Sequence, residues 1–152
     1  KTFLNNLNCD ILYTENNKYN LIHKGGNELL DIKSVINTYN IDDNDTIIKL
    51  TGRYKILNLD FINLVINKCH EIDAFVKFFN VCTKQFHRNK DDCVLGLFAV
   101  KCKYLKNFEY NYSTSPEREF AAYVNKNIEN VQSIKNLSLE CCFADNLRLL
   151  IV

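Results

Sequence analysis

The chain has 152 residues, 47% of them hydrophobic and 24% charged, with a formal net charge of +1. That is the composition of one globular domain large enough to bury a core, and its interspersed, near-neutral charge argues against a nucleic-acid backbone or an anionic membrane as partner. The longest apolar runs, 94–100 and 147–152, are too short to cross a bilayer as helices.

In chain order, 10–14 reads as a short buried strand closed by a polar cluster, and a helix over 27–39 follows the Gly25-Gly26 pair. The polar turn Asp42-Asp43-Asn44-Asp45 leads into a strand at 46–50. Asn58 or Asp60 can cap a second helix that buries Phe61, Ile62, Val65, Ile66 and Cys69. The segment 72–79 alternates as a strand does, 83–92 is polar and irregular, and 93–100 reads as a central strand whose glycine admits another backbone. A short helix or turn is expected over 101–108. Ser115-Pro116-Glu117 is the clearest helix start, with serine as cap and proline at the first position, and that helix should run to about Asn125. A last strand is expected over 137–143. Strands and helices alternating in this way predict an α/β fold with a mainly parallel sheet flanked by helices, in a single domain.

The seven cysteines are odd in number, lack CxxC spacing and mostly sit in apolar company, which predicts free thiols in a reducing, cytoplasmic setting. Three Asn-x-Ser/Thr sequons are what chance supplies in so asparagine-rich a chain. The chain opens at Lys1 without methionine and closes on an apolar run that needs cover, so it reads as a piece of a longer protein.

The most informative segment is Ile47-Ile48-Lys49-Leu50-Thr51-Gly52-Arg53-Tyr54, a buried strand running into a hydroxyl, a glycine, an arginine and an aromatic. Gly52 would permit a positive φ or a close ligand approach, and the Arg53 guanidinium suits phosphate. Such a segment is either an anion site at the carboxyl end of a strand or a plain turn with a surface arginine. A second anion site, or simply a helix start, is read at His23-Lys24-Gly25-Gly26-Asn27-Glu28, where free N–H groups and Lys24 favour negative charge. Asp43-Asn44-Asp45 has the D-x-D form of a cation site but precedes its strand, and it reads as a solvated turn, as does Asp91-Asp92. Glu117 and Glu119 could serve as a general base or could complement the helix dipole. Neither His70 nor His87 has a local partner that would mark it as catalytic or metal-binding.

The block at 47–54, the Lys24-Gly25-x-Asn27-Glu28 helix start, Leu95-Gly96-Leu97-Phe98-Ala99-Val100 and Pro116-Glu117-x-Glu119-Phe120 together resemble a group of GT-A-type glycosyltransferase-like proteins of bacteria and large DNA viruses. The similarity covers roughly 10–145, and 47–54 is its most specific part. The resemblance implies a Rossmann-like sheet that binds a nucleotide-diphospho-sugar, with transfer of the sugar to a glycan or other acceptor hydroxyl. Its first strand would lie before residue 10, where little chain remains, so that strand is expected to be missing. On this resemblance Lys24, Asn27, Lys49, Thr51, Gly52 and Arg53 hold the donor, Arg53 offsets diphosphate charge without a metal, and Glu117 or Glu119 deprotonates the acceptor. No other cofactor is expected. The alternative is an inactive binding or assembly module of the same fold.

Overall fold

The computed structural model describes residues 9–19, 21, 23–52, 54–86, 89–142 and 149–152. After a 3-10 turn at Asn16–Lys18, the elements are α1 (Lys24–Thr38), β1 (Thr46–Leu50), β2 (Lys55–Ile56), α2 (Asp60–Lys68), β3 (Ala74–Val76), β4 (Phe79–Asn80), β5 (Gln85–Phe86), β6 (Leu97–Lys101), α3 (Cys102–Asn107), α4 (Pro116–Asn127), β7 (Val131–Ser133), β8 (Leu139–Cys142) and β9 (Leu149–Ile151). The central sheet has the order β1-β6-β3-β7, a smaller one the order β2-β8-β9, and β4 and β5 form a hairpin.

The period of two along each central strand sorts side chains to opposite faces. Phe98 and Val100 of β6, with Ala74 and Val76 of β3, join Leu29 and Ile36 of α1 and Phe120, Ala121 and Val124 of α4 on one face. Leu97 and Ala99, with Phe75, meet Phe61 and Val65 of α2 and Leu139 and Cys141 of β8 on the other. The sheet is therefore covered on both sides, which explains the continuous apolar run in β6. Each fully buried large side chain here stabilises the fold by roughly 1.5–3 kcal/mol.

The fold is mixed α/β, and strand direction departs from the mainly parallel expectation. β1 and β3 are both antiparallel to β6, while β7 is parallel to β3. Three of the four strands thus share one direction, but the reversed strand sits between two of them, so antiparallel pairing dominates. The reason is local: the β4–β5 hairpin and the segment after it return the chain beside β3 with no helical crossover.

Smaller expectations are also corrected. Residues 10–14 form no strand, because no described strand pairs with them, and Tyr13 is exposed. Thr14 instead donates its hydroxyl to Asp31 of α1. The predicted strand over 72–79 is divided into β3 and β4. On α2, Phe61 and Val65 lie one turn apart and are buried, whereas Ile66 lies about 100° further round and is exposed. α4 starts as expected, with Ser115 Oγ accepting from the Arg118 N–H. The C-terminal run is partly covered by the chain itself, since β9 pairs with β8 and Val152 is buried.

Candidate functional site

A cleft of about 690 Å³ opens beyond the carboxyl ends of β1 and β3. Roughly 300–1,000 Å³ is the usual range for a small-molecule site, and the cleft falls within it. Its walls come from the first turns of α1 and α4, from Thr51 after β1, from Asn80 in β4 and from the segment before β6. Both helices point their N-termini at this space; α4 opens on a proline that has no N–H and its Arg118 N–H is capped by Ser115 Oγ, whereas the start of α1 has no side-chain cap. The start of α1, the exposed Lys24 and Arg118 bring positive charge to the cleft, and Glu28, Asp92 and Glu117 line it with carboxylates.

Glycine makes two of the close approaches possible. A Cβ on Gly25 would lie 2.8 Å from Cβ of Pro116, so only glycine lets the two helix starts meet without displacement. A Cβ on Gly96 would lie 2.1 Å from the Tyr54 ring, so this aromatic packs directly against the segment entering β6. The expected partner of Gly96 was backbone; the observed one is a side chain. Gly52 has no positive φ, and nothing among the described residues lies within 4 Å of a Cβ built there, so its conformation does not require glycine.

Beneath the cleft lies a buried polar network. Lys49 is 7% exposed, and its Nζ donates to Thr51 Oγ1 at 2.6 Å, to the Leu95 carbonyl at 2.6 Å and to Glu28 Oε1 at 2.8 Å. The Thr51 hydroxyl in turn donates to Glu28 Oε1 at 3.0 Å. Lys49 is buried because it shares a strand face with Ile47 and pairs with Phe98, on the side that α1 and α4 cover. Burying an ammonium is tolerable only with partners of this kind.

Glu117 lines the cleft from the first turn of α4, whose start is anchored by the buried Cys93 thiol donating to the Glu117 carbonyl at 3.1 Å. Burial, then the charges of Asp92 and Glu117, push that thiol's pKa well up, so it is a packing group rather than a nucleophile. Glu119 is not among the cleft-lining residues. Its carboxylate accepts from the Asn111 N–H at 2.8 Å and the Thr114 N–H at 3.0 Å, clamping the tyrosine-rich loop. Burial raises its pKa, but hydrogen bonds from the backbone of Thr114, Asn111, Ser113 and Tyr112 outweigh burial, and the net direction is down. This carboxylate holds the loop and stands off the cleft-lining set.

Of the residues expected to form the site, Lys24, Thr51 and Glu117 meet in one cleft. Lys49 stands behind it, and Asn27 lies off it, with Nδ2 donating to the Tyr19 carbonyl at 3.4 Å. Arg53 and His87 lie outside the described residues. Asp43-Asn44-Asp45 is the solvated turn expected, at the other end of β1 from Thr51, with Asp43 paired to Lys106. Asp92 is not solvated: it is 7% exposed, lines the cleft and accepts from Asn80 Nδ2 at 2.7 Å. Among the described residues no group of three side chains is placed to hold a metal.

The cleft also takes in Glu28 and Tyr54, which the sequence places only within the helix start at 23–28 and the block at 47–54. A signal for Glu28 was present, because Lys24 and Glu28 stand four apart on α1 and share a face. No family model, curated protein or solved structure matches the chain.

Proposed function

We propose that the cleft binds a nucleotide-diphosphate sugar and that the protein transfers the sugar to an acceptor hydroxyl, on a Rossmann-like GT-A-type scaffold. The observation that carries this reading is the convergence of Lys24, Thr51 and Glu117, from three separate elements, on one cleft at the carboxyl ends of β1 and β3. The diphosphate would lie against the first turns of α1 and α4, with Lys24, and Arg53 on sequence grounds, offsetting its charge. The acceptor oxygen attacks the anomeric carbon and its proton passes to the Glu117 carboxylate. The bond from that carbon to the phosphate oxygen breaks, and the nucleoside diphosphate leaves. On this proposal the charge is met by side chains without a metal.

The test is a thermal-shift screen of UDP-, GDP- and dTDP-sugars with and without manganese, followed by chromatography of sugar release. At least one donor should stabilise the protein without manganese, by about 2.7 kcal/mol at a concentration of 100 Kd. Lys24→Ala should lose most of that stabilisation. Glu117→Gln should keep it while transfer falls about 10²-fold or more. No stabilisation by any donor would sink the proposal.

One observation favours a second reading, a non-catalytic binding or assembly module: Lys49 and Thr51 are spent on each other and on Glu28. Sugar release abolished by Glu117→Gln would refute it.

A further inference from the structure

Glu28 lines the cleft one helical turn after Lys24, and its side chain is 38% exposed. Its Oε1 is gripped twice, by Lys49 Nζ at 2.8 Å and by Thr51 Oγ1 at 3.0 Å. Lys49 is itself tied to the Leu95 carbonyl at 2.6 Å, so α1, the end of β1 and the segment before β6 together hold one carboxylate in place. The second oxygen, Oε2, has no hydrogen-bond partner among the described residues.

We infer that Glu28 Oε2 is the acceptor by which the cleft recognises a sugar hydroxyl. The inference rests on the nucleotide-sugar reading above and names the group that reads the sugar. The charge balance supports a neutral donor over a cation. Lys49 already neutralises Glu28, so the pair has little net pull on a second positive charge, yet an ionised oxygen remains a strong acceptor for O–H. Lys24 sits one turn away, roughly 5–6 Å along the helix surface, so a ligand anchored there by phosphate brings a sugar hydroxyl within reach of Glu28. The ribose 2′-hydroxyl and a hydroxyl of the transferred sugar offer the same chemistry. Because the carboxylate is fixed before the ligand arrives, little side-chain entropy is lost on binding.

The experiment is calorimetric titration of wild type and Glu28→Gln with UDP, 2′-deoxy-UDP and UDP-glucose, and with GDP, 2′-deoxy-GDP and GDP-mannose. Glutamine keeps an oxygen for Lys49 and offers the cleft an amide N–H₂. A Glu28→Ala, Lys49→Met double variant leaves no unpaired buried charge and serves if the single variant does not fold. The variant should bind the hydroxyl-bearing compound about 10- to 100-fold more weakly while compounds lacking that hydroxyl keep their wild-type affinity. If wild type prefers the ribo over the 2′-deoxy nucleotide and the variant does not, the ribose is read. If instead the variant loses only the gain of sugar nucleotide over nucleoside diphosphate, the transferred sugar is read. Variant affinities within twofold of wild type throughout, or an equal loss for every compound, would overturn the role of Glu28 and leave nucleotide binding standing. No binding by wild type would overturn both.

Discussion

Gly25 and Pro116 are in contact: a Cβ on the glycine would fall 2.8 Å from Cβ and 2.9 Å from Cγ of the proline. The contact joins the first turns of α1 and α4 and sets the spacing of Lys24 and Glu117 across the cleft. Gly25→Ala gains helix propensity but must push the two helix starts apart, so it should destabilise the protein by about 1–2 kcal/mol net. Gly52→Ala meets nothing within 4 Å among the described residues and should stay within about 0.5 kcal/mol of wild type. Urea denaturation of both variants checks the pair, and equal midpoints would contradict it.

The Lys49–Glu28 pair couples the end of β1 to α1. Lys49→Met removes the buried cation and should cost about 2–3 kcal/mol, at or below the usual range for breaking a buried pair because Glu28 can still reach water. With Glu28→Gln already present, the same change should cost less. A double-mutant cycle by denaturation should return a coupling of about 1 kcal/mol or more. Strict additivity would show that the two groups do not sense each other.

Glu119 makes stability depend on acid. Its folded pKa is held down, so the stabilisation is complete above the ordinary carboxyl range, about pH 4.3, and is lost as pH falls through the lower folded value. Glu119→Gln should cost about 2 kcal/mol at pH 7, and its gap from wild type should close as the pH is lowered past that range. Melting curves from pH 7 to pH 3 test this; a gap that widens in acid has the wrong sign.

Thiol reactivity should separate by burial. Cys9 and Cys82 are exposed, whereas Cys93 and Cys141 are buried, and burial pushes the Cys141 pKa up to about 11 despite the nearby charge of Lys77. With iodoacetamide at pH 8, peptide mass spectrometry should find Cys9 and Cys82 alkylated first and Cys93 and Cys141 only on unfolding. Early labelling of Cys93 would mean that the cleft floor opens.

Local signals were readable wherever one element's own residues decide its form. α4 begins where serine caps and proline leads, β1 occupies the five residues that the β-branched run predicts, and β6 carries only the second half, 97–100, of the apolar run expected as a strand over 93–100. Lys24 and Glu117 were legible as charges in the first turn of a helix, and the fold places both on one cleft. Lys49 enters the expected donor-holding set on the resemblance alone, as a charge that helps to offset a diphosphate. Only the cover of α1 and α4 makes it an internal charge.

The sequence by itself therefore determined the helices, the strand that ends at Leu50 and the α/β character, since capping and periodicity act over a few residues. Tertiary structure decided the reversal of β6, the burial of Asp92, the clamp on Glu119 and the pairing of Lys49 with Glu28. These depend on which segments distant in the chain come to share a dry interior, where a charge must find a partner and a strand must find an edge. No local pattern records that meeting.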